Sequence, residues 1–497
     1  MIFSKLRRKT KKKQEPISLF TTNRKEKVLL EPLKPGVVTI YSCGPTVYDF
    51  PHIGNYRPYV ISDILVRTLT NAGYGVTHAI NITDVGHLVG DGDEGEDKME
   101  LGAQKRGKTV PQIALEVEEC FKRELKELNI ITDKTLFPKA TEHIKEQIAF
   151  IETLEQKGYT YKISDGIYFD TARFPEYGRL GNRDIEQQQE GARVEVNPEK
   201  HSGADFALWK FSPEGETRQQ EWDSPWGKGF PGWHIECSAM ATKHLGKTID
   251  IHTGGVDHIA THHNNEIAQS EVVTGKQFVR NWLHVEHISI EGNKISKSVG
   301  NTVYLRNLIE RDISPLSFRY WLLSGHYRTR MNFTWEAVKG AHTALFKIHK
   351  YFTEHLLKVQ SDTEDATYTK AIRDALRDDL DTPKAIALIW EIIKDDKLTP
   401  GKKKATLLVA DSLLGLDMQG RDSLFNQKNN VKISVNSLPS DIQDIIQKRD
   451  TARKNHEWEV SDTLRDELTK KGYTVIDTKE GTTVEISSQN PQHEEGR

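Results

Sequence analysis

The first part of the chain alternates short apolar runs with a stretch of helical periodicity. Residues 36–41 form an apolar, β-branched run that predicts a buried strand. Apolar side chains then recur at helical spacing, which predicts a helix over residues 58–73 with Pro58 at its start, and residues 76–82 predict a second strand. This order indicates a right-handed βαβ unit of a parallel sheet. The opening therefore predicts an α/β fold of a nucleotide-binding type, although a fold alone does not define a function.

The middle of the chain interrupts this pattern. Helical periodicity covers residues 110–157, and short strands and turns are mixed up to about residue 223. Strand-like runs return at residues 248–252 and 283–290. The intervening region is therefore predicted to be an insertion into the sheet domain.

The last third is predicted to be mainly helical. Helical periodicity dominates beyond Ser314, and a polar stretch over residues 419–440 predicts a linker. The final unit is predicted to contain two helices, over residues 441–454 and 459–471, followed by a β-hairpin that turns at residues 479–481.

These patterns divide the chain into segments. In chain order they are a basic, flexible extension (1–24), a sheet-containing domain (25–313) with its insertion (133–223), a helical region (314–425) and a small C-terminal α+β domain with a frayed tail (436–497). No internal repeat is visible in the sequence.

The composition excludes several classes of protein. The chain has 497 residues, which is too long for one small module. Its mean hydropathy is −0.61 and no apolar run approaches the roughly 18 residues that span a bilayer, so no membrane association is predicted. Three cysteines cannot form a disulfide framework in such a chain, which favours a reducing, cytoplasmic compartment. A net charge of −3 excludes a uniformly basic nucleic-acid binder, so RNA would have to be held by local patches.

The N-terminal extension is the most basic segment. Its first thirteen residues carry seven basic side chains and no acidic one, and they lack the apolar segment of a secretory signal. Three interpretations stay open: a solvated extension, an arm that contacts phosphates, and a transit peptide, for which the Lys-rich, Ser-poor composition is unsuitable.

Four side chains have the chemistry of a metal site. On a helix, His262 and Glu266 would stand one turn apart, so that an imidazole and a carboxylate can converge on one point. Cys237, together with Cys43 if the fold brings it near, would add sulfur ligands that suit Zn²⁺. The alternative is that the four residues are unrelated, because the spacing is common and a single buried cysteine is usually a small apolar core residue.

Two further motifs have features of phosphate binding. The sequence HIGN at residues 52–55 follows the first predicted strand, and a glycine with imidazole and amide donors beside a helix N-terminus can cradle an anion. The sequence KISKS contains Lys294 and Lys297, which could close over a triphosphate and neutralise the departing pyrophosphate. Each motif is a weak signal by itself, and a solvated Lys/Ser loop is the alternative for the second.

Taken together and in order, these motifs resemble those of the cysteinyl-tRNA synthetases, a family of class I aminoacyl-tRNA synthetases. HIGN resembles the HIGH motif of that class, and KISKS resembles its KMSKS motif. Other matching segments are YSCGPTVYDFPHIGN, NITD, PGWHIECSAM, and DIHTGGVD through HHNNEIAQSE. The resemblance runs from about Val38 to Ile486. It implies a Rossmann-type parallel-sheet catalytic domain with an inserted connective subdomain, then a stem-contact region with an α-helical bundle, and a small anticodon-binding domain.

The resemblance also implies one Zn²⁺ per subunit, with Cys43, Cys237, His262 and Glu266 as its ligands. Serine differs from cysteine by one atom, and a pocket that relied on size would separate them by only about 1–3 kcal/mol. Zinc prefers a thiolate to a neutral hydroxyl and lowers the thiol pKa below roughly 8.5. A metal–sulfur bond would therefore select cysteine, and no editing domain would be needed.

Other implied roles concern the amino acid and ATP. Thr83 and His252 resemble residues of the amino-acid pocket, Trp233 resembles its aromatic wall, and Asp257 resembles a polar group near the aminoacyl-adenylate. Catalysis would rest on positioning and charge stabilisation, with Mg²⁺ on the triphosphate, before the cysteinyl group moves to the terminal ribose of tRNA(Cys). The residues implied to bind ATP or to act in catalysis are His52, Gly54, Asn55, Lys294 and Lys297.

Two positions depart from the family pattern. Asn55 replaces the last histidine of HIGH, so it keeps a hydrogen-bond donor but cannot be cationic, which changes its part in stabilising the transition state. Asn264 replaces a glutamate that is common in the family, but this position is not counted among the metal ligands.

The C-terminal third indicates the acceptor of the activated cysteine. A related class of ligases joins cysteine to an amino sugar and lacks the anticodon-reading module. Residues 374–385 resemble the helical domain of the synthetase family, and residues 446–458 with the GTTVE hairpin resemble its anticodon-binding end. The resemblance therefore favours tRNA as the partner of a protein predicted to be monomeric. Residues 436–497 hold nine basic and thirteen acidic side chains, so base-edge and stacking contacts would have to specify the RNA. Trp458 is a candidate for stacking, and a packed core tryptophan is the alternative.

Overall fold

The computed structural model describes most of the chain as two compact units. One unit comprises the described residues of Met1–Leu345 and His355–Leu416, and the other comprises those of Phe346–Glu354 and Asp417–Arg497. The described residues are 14–86, 98–181, 197–213, 215, 218–295, 300–420, 431–433, 435, 438–455, 457–471, 473–478 and 481–486. The first thirteen residues, Lys297 and the predicted frayed tail lie outside them.

The elements alternate between strands and helices in the first part of the chain and become mainly helical later. In chain order, the strands are β1 (Ser18–Thr21), β2 (Glu26–Leu29), β3 (Val37–Ser42), β4 (Gly75–Ile80), β5 (Thr135–Leu136), β6 (Thr160–Ile163), β7 (Gly166–Phe169), β8 (Phe206–Phe211), β9 (Gly229–Pro231), β10 (Ile249–Gly255), β11 (Val279–Val285), β12 (Ile288–Ile290), β13 (Asn293–Lys294), β14 (Met331–Phe333), β15 (Val431–Ile433), β16 (Tyr473–Thr478) and β17 (Gly481–Ile486). The α-helices are α1 (Ile53–Asn71), α2 (Lys98–Arg106), α3 (Val110–Glu127), α4 (Ile144–Gln156), α5 (Trp233–Leu245), α6 (His262–Thr274), α7 (Leu305–Ile309), α8 (Pro315–Leu323), α9 (Trp335–Tyr351), α10 (Ala366–Arg377), α11 (Thr382–Lys394), α12 (Pro400–Leu414), α13 (Ser440–Lys454) and α14 (Trp458–Lys470).

A five-stranded parallel sheet forms the centre of the first unit. Its strand order is β11-β10-β3-β4-β5, and every neighbouring pair is parallel. The predicted βαβ opening and the α/β class are therefore confirmed. The central strand β3 buries Val38, Ile40 and Tyr41 completely, as expected for a strand that is covered on both faces. The strand order reverses between β3 and β10, and in such sheets ligands bind at the carboxyl ends of the strands at this switch point.

Helix α1 begins earlier than the sequence predicts. It starts at Ile53, with His52 as its N-cap residue, and Pro58 lies inside it. The prediction that Pro58 begins the helix is wrong because a capping interaction further upstream sets the start. The backbone N–H of His52 donates to Oδ1 of Asn55 at 2.9 Å, which satisfies a donor at the helix N-terminus.

The insertion contains an antiparallel sheet. Its strand order is β6-β7-β8-β9, and its last strand ends at Pro231, beyond the predicted limit of residue 223. At the other limit, the short strand β5 pairs with β4 in the parallel sheet although it lies within the predicted insertion. Both strands are only two or three residues long, so the sequence pattern did not reveal them.

A small sheet and a set of helices complete the first unit. Strand β12 pairs in parallel with β14 and antiparallel with β13, so residues 283–290 contain the end of β11 and a separate strand. Within the predicted helical region, apolar residues recur at helical spacing over residues 368–394, but this stretch belongs to two separate helices, α10 and α11. Asp379 and Leu380 interrupt them with φ values of 60° and 53°.

The second unit has its own core. Strands β15, β17 and β16 form an antiparallel sheet with α13 and α14, and the predicted final helices and hairpin are confirmed. Strand β15 lies within the predicted linker. Among the described residues of this unit, the buried core includes Leu438, Ile442, Ile446, Leu468 and Val484. Among the described residues of the chain, no helix has the length and apolar character needed to cross a membrane.

Candidate metal and nucleotide site

The structure brings the four predicted metal ligands together. Cys43 directly follows β3, Cys237 lies in α5, and His262 and Glu266 lie one turn apart at the start of α6. One donor atom from each residue lies within 4.8 Å of the others. A tetrahedral Zn²⁺ with bonds of about 2.0–2.3 Å needs its donors roughly 3.3–3.8 Å apart. The donor types and their proximity therefore fit a zinc ion.

Close backbone packing holds Cys43 in this position. The backbone N–H of Cys43 donates to the carbonyl of Thr253 at 3.2 Å, and the N–H of Gly44 donates to Oδ1 of Asn81 at 2.7 Å. A Cβ atom on Gly44 would lie 1.5 Å from the carbonyl oxygen of Asn81. Only glycine therefore lets the chain after β3 pass the chain after β4 and place the thiol at the switch point.

Glu266 is the charged centre of the cluster. Its side chain is fully buried, and Oε2 lies 2.9 Å from Nε2 of His252 while Oε1 lies 3.0 Å from Nε2 of His262. Burial acts to raise the pKa of Glu266, but the two imidazoles outweigh it and lower that pKa. Burial likewise acts to lower the pKa of His262, but the carboxylate raises it to about 10. A metal ion held here by His262 and Glu266 would take the place of the proton on His262.

The two thiols of the cluster are not equivalent. Burial, followed by the hydrogen bond to Cys237 and the charge of Glu266, raises the pKa of Cys43 well above its usual value. The hydrogen bond from Cys43 lowers the pKa of Cys237, against the opposing effect of burial. Cys237 is therefore the thiol that ionises first, and thiolates are the form that binds metals.

A chain of histidines surrounds the cluster, and the sequence did not reveal it. Nε2 of His263 lies 3.3 Å from Sγ of Cys43, and Nδ1 of His263 lies 2.8 Å from Nε2 of His284. Burial lowers the pKa of both His263 and His284 well below the usual value. Cys43, His252, His263 and Glu266 form a second group whose donor atoms also lie within 4.8 Å of one another. The first group has two sulfur donors, which makes it the better match for zinc.

Of the residues predicted for the amino-acid pocket, two lie against the cluster. The ring of Trp233 lies 4.7 Å from that of His262 between centroids. His252 is buried, stacks on Trp282 with centroids 4.6 Å apart, and contacts Glu266. Thr83 is buried just beyond β4, and its Oγ1 accepts a hydrogen bond from Asn81.

The fourth pocket candidate, Asp257, has a more open environment. It lies in the short turn Val256–Ile259 after β10, and its side chain is 58% exposed. A Cβ atom on Gly255 would lie 2.2 Å from Oδ1 of Asp257, so the carboxylate folds back over this glycine.

The HIGN motif forms the N-terminus of α1, beside the polypeptide that carries KISKS. A Cβ atom on Gly54 would lie 2.8 Å from Cδ1 of Ile295 and 3.0 Å from the ring of His52. The backbone N–H of Ile53 donates to the carbonyl of Val303 at 2.9 Å. Lys294 is exposed on β13, and Lys297 lies outside the described residues. The described start of KISKS, Lys294 and Ile295, is therefore adjacent to HIGN, as phosphate binding by both motifs would require.

Comparison with known proteins decides the family. Residues 29–343 match the family described as tRNA synthetases class I (C) catalytic domain, and residues 435–484 match the cysteinyl-tRNA ligase anticodon binding domain. The chain belongs to the cysteinyl-tRNA synthetase family. It is similar to "Cysteine--tRNA ligase 1" of Burkholderia lata, with 43% identity over 469 residues that cover 94% of this chain and 96% of the relative. It is also similar to "Cysteine--tRNA ligase" of Treponema denticola, with 41% identity over 486 residues that cover 93% and 97%.

Solved structures share the fold of this cysteinyl-tRNA synthetase family member. The ternary complex of Agrobacterium radiobacter K84 agnB2 LeuRS with tRNA and LeuAMS matches with a TM-score of 0.56 and 12% identity over 80% of this chain and 85% of that chain. The methionyl-tRNA synthetase of Mycobacterium tuberculosis with methionyl-adenylate matches with a TM-score of 0.50 and 15% identity over 76% and 90%. At such low identity the likeness shows the fold alone, which is the predicted Rossmann-type architecture.

Proposed function

We propose that the chain activates L-cysteine with ATP to cysteinyl-adenylate and transfers the cysteinyl group to the 3′-terminal ribose of tRNA(Cys). One observation carries this proposal: Cys43 of the thiol and imidazole cluster and the HIGN motif both follow the same strand, β3, at the switch point of the parallel sheet. This arrangement supports a site for a sulfur-containing amino acid beside a site for a triphosphate. Membership of the cysteinyl-tRNA synthetase family along nearly the whole chain supports the same reaction.

Cysteine selection is proposed to depend on one Zn²⁺ held by Cys43, Cys237, His262 and Glu266. When bound, zinc supplies a Lewis-acidic position that prefers a thiolate to a neutral hydroxyl. The chain's own residues orient this site: His252 fixes Glu266 by its contact with Oε2, and the indole of Trp233 forms a wall beside His262. Residues that hold metal ligands in this way increase the affinity for the metal and fix the orientation of the ligands. Thr83 and Asp257 are proposed to contact the amino acid and its adenylate.

ATP is proposed to bind at the N-terminus of α1 with Mg²⁺ on its triphosphate. The helix dipole, with its positive end at the N-terminus, favours an anion there. His52 and Asn55 would donate to the phosphates, and Gly54 lets them approach the backbone. Since Oδ1 of Asn55 accepts the N–H of His52, its amide nitrogen is the part that can donate to a phosphate. The lysines of KISKS, Lys294 and Lys297, would neutralise the β- and γ-phosphates.

The second compact unit is proposed to read the tRNA anticodon. Trp458 is 55% exposed, so it is not a packed core tryptophan, and the guanidinium of Arg453 lies 5.8 Å from its ring centroid. An exposed indole offers a surface on which a base can stack. The match to an anticodon-binding domain favours tRNA over an amino sugar as acceptor. A monomeric protein in the cytoplasm is proposed, in keeping with three cysteines that are all free thiols.

A two-stage assay tests this function. The purified protein should catalyse cysteine-dependent ATP–pyrophosphate exchange without tRNA, and it should release AMP and form an acid-stable cysteinyl ester when tRNA(Cys) is added. Transcripts with a periodate-oxidised 3′ end are the control, because they lack the accepting hydroxyls. Absence of exchange in the zinc-loaded protein, or transfer to an amino sugar in place of tRNA, would contradict the proposal.

A further inference from the structure

Arg57 is a buried cation that lies just after the HIGN motif. Its residue is 1% exposed, and its guanidinium donates only to backbone carbonyl oxygens among the contacts described for it. Nη1 donates to Glu286 at 2.7 Å and to His287 at 3.1 Å. Nη2 donates to His326 at 3.0 Å and to Thr329 at 2.7 Å. One side chain of α1 thus binds four carbonyls from two distant segments.

Both segments lead into the small sheet that carries Lys294. Glu286 and His287 immediately precede β12, while His326 and Thr329 precede β14. Strand β12 pairs with β14 on one side and with β13 on the other, and Ser289 of β12 lies opposite Lys294. Arg57 therefore joins α1 to the base of this sheet, at the start of two neighbouring strands.

A second contact joins the same helix to the tip of the sheet. The N–H of Ile53 reaches the carbonyl of Val303, and Gly54 packs against Ile295. Ile295 and Val303 lie on either side of the rest of the KISKS motif in the chain. Helix α1 is consequently attached to the lysine-bearing polypeptide at two places. Arg57 makes the contact at the start of β12 and β14, and Ile53 and Gly54 make the contact near the KISKS motif.

The chemistry of the contact suits arginine alone. Burying a cation without a partner is costly, and here four carbonyl dipoles compensate the charge. The planar guanidinium holds its donors in a fixed fork that can bridge two strands, whereas the three donors of a lysine radiate from one nitrogen. Burial lowers the pKa of Arg57 to about 10, which leaves it protonated at neutral pH.

We propose that Arg57 is a positioning residue for amino-acid activation: it sets the placement of the Lys294-bearing sheet relative to the HIGN end of α1. This inference rests on the proposed function, since it assumes that both motifs contact ATP. None of the contacts described for Arg57 involves the metal cluster, whose ligands follow β3 or belong to α5 and α6. Loss of Arg57 should therefore impair the use of ATP and leave zinc and cysteine binding intact.

Arg319 offers a matched control within the same unit. It is fully buried, and its guanidinium donates to the carbonyls of Leu414 at 2.8 Å and Leu128 at 2.9 Å and to the carboxylate of Asp63 at 2.5 Å. These partners lie outside the lysine-bearing sheet. Arg319→Lys thus measures the general cost of replacing a buried guanidinium.

The test compares ATP–pyrophosphate exchange by the full-length wild type, Arg57→Lys and Arg319→Lys, each zinc-loaded and shown to be folded by circular dichroism. With Arg57→Lys, kcat should fall about tenfold or more, because misplacement of catalytic groups by about 1 Å can cost a hundredfold. Zinc content and the KM for cysteine should stay within about twofold of wild type, and Arg319→Lys should lose less than about threefold in kcat. Arg57→Gln, which avoids a buried charge, replaces Arg57→Lys if the latter does not fold.

Three results would overturn the inference. The first is equal loss of kcat in the Arg57 and Arg319 variants, and the second is loss of zinc or cysteine affinity in proportion to activity. The third is independent of variants: in the wild type, backbone amides at the starts of β12 and β14 should exchange with deuterium as slowly as those of α1, and fast exchange there would contradict an anchor. An inactive wild type would instead contradict the proposed function itself.

Discussion

At the scale of single residues, the environments of the three cysteines separate their roles. Cys43 and Cys237 belong to the cluster with Glu266, and each influences the pKa of the other. Cys120 lies on α3, where Arg123 contacts its sulfur at 3.2 Å. Burial, with the charge of Glu124, raises the pKa of Cys120 to about 11, so it stays a thiol at neutral pH. The chain therefore contains its own control for any effect of removing a cysteine.

Replacing Cys237 should remove the metal. Cys237→Ala deletes one of two sulfur donors, and zinc content should fall from about one to below about 0.1 per chain, with at least a hundredfold loss of cysteine-dependent pyrophosphate exchange. In Cys120→Ala, zinc content and cysteine-dependent pyrophosphate exchange should both stay within about twofold of the wild-type values. Elemental analysis and the exchange assay measure the two quantities. Full zinc occupancy in Cys237→Ala would show that the ligand assignment is wrong.

The residues of the candidate site could be named from the sequence only where motif letters mark them. The spacing of His262 and Glu266 indicated a pair on one helix face, but their meeting with Cys43 depends on the order of strands β3 and β10. His263 and Arg57 carried no signal, because their roles arise from contacts with segments more than twenty residues away or, for Arg57, with backbone atoms that sequence letters do not show.

At the scale of elements, the N-terminus of α1 is closely packed against the polypeptide that follows β13. Gly54 lies between the ring of His52 and the side chain of Ile295, and a methyl group there would meet Ile295 at 2.8 Å. Gly340 lies on the exposed side of α9, where an added Cβ would meet nothing within 4 Å. Both glycines lie in helices, so replacement by alanine changes helix propensity at each position. A difference between the two variants therefore reports the local packing around Gly54.

Gly54→Ala should weaken the use of ATP by moving Ile295 and the ring of His52. The KM for ATP in pyrophosphate exchange should rise at least about fivefold, since small displacements at a phosphate cradle are costly. Gly340→Ala should leave kinetics unchanged and raise the free energy of unfolding by about 0.5–1 kcal/mol. Unchanged ATP kinetics in Gly54→Ala would contradict the assignment of HIGN to ATP.

Secondary structure was predictable from the sequence where the apolar pattern is long. Element boundaries were missed where hydrogen bonds to the backbone set the start or end of a helix. The pattern identified β3, β4 and α13 well. It placed the start of α1 at Pro58 because a proline is a common first residue, whereas the side chain of Asn55 caps the helix upstream. It also missed the break before α11, where Asp379 takes a left-handed conformation and accepts hydrogen bonds from Tyr327 and Phe20.

At the scale of the whole molecule, stability should depend on buried neutral histidines. His78 lies on β4 in the central sheet and is 5% exposed, with Nε2 2.9 Å from Oγ of Ser42. Burial lowers its pKa to about 4, against an unfolded value of about 6.5. Between these values the unfolded chain binds a proton that the folded chain does not. The contribution of neutral His78 to the free energy of unfolding is therefore complete above about pH 6.5, and it is lost as the pH falls toward 4.

His78→Gln should flatten the pH dependence of stability. Between pH 7 and pH 5, the variant should lose about 2 kcal/mol less of its free energy of unfolding than the wild type loses. Urea unfolding followed by tryptophan fluorescence at both pH values gives this difference. The exposed His287→Gln should keep the wild-type slope, and an unchanged slope in His78→Gln would show that His78 titrates normally in the folded protein.

The most direct test of cysteine selection compares cysteine with serine in ATP–pyrophosphate exchange, before and after zinc is removed by chelation. Zinc-loaded protein should prefer cysteine by about 10⁴ or more in kcat/KM, beyond the roughly 10–200-fold of a size-based pocket. Chelation should abolish cysteine activation, and Zn²⁺ but not Mg²⁺ should restore it. A zinc-free protein that still activates cysteine and still rejects serine would contradict selection through a metal–sulfur bond.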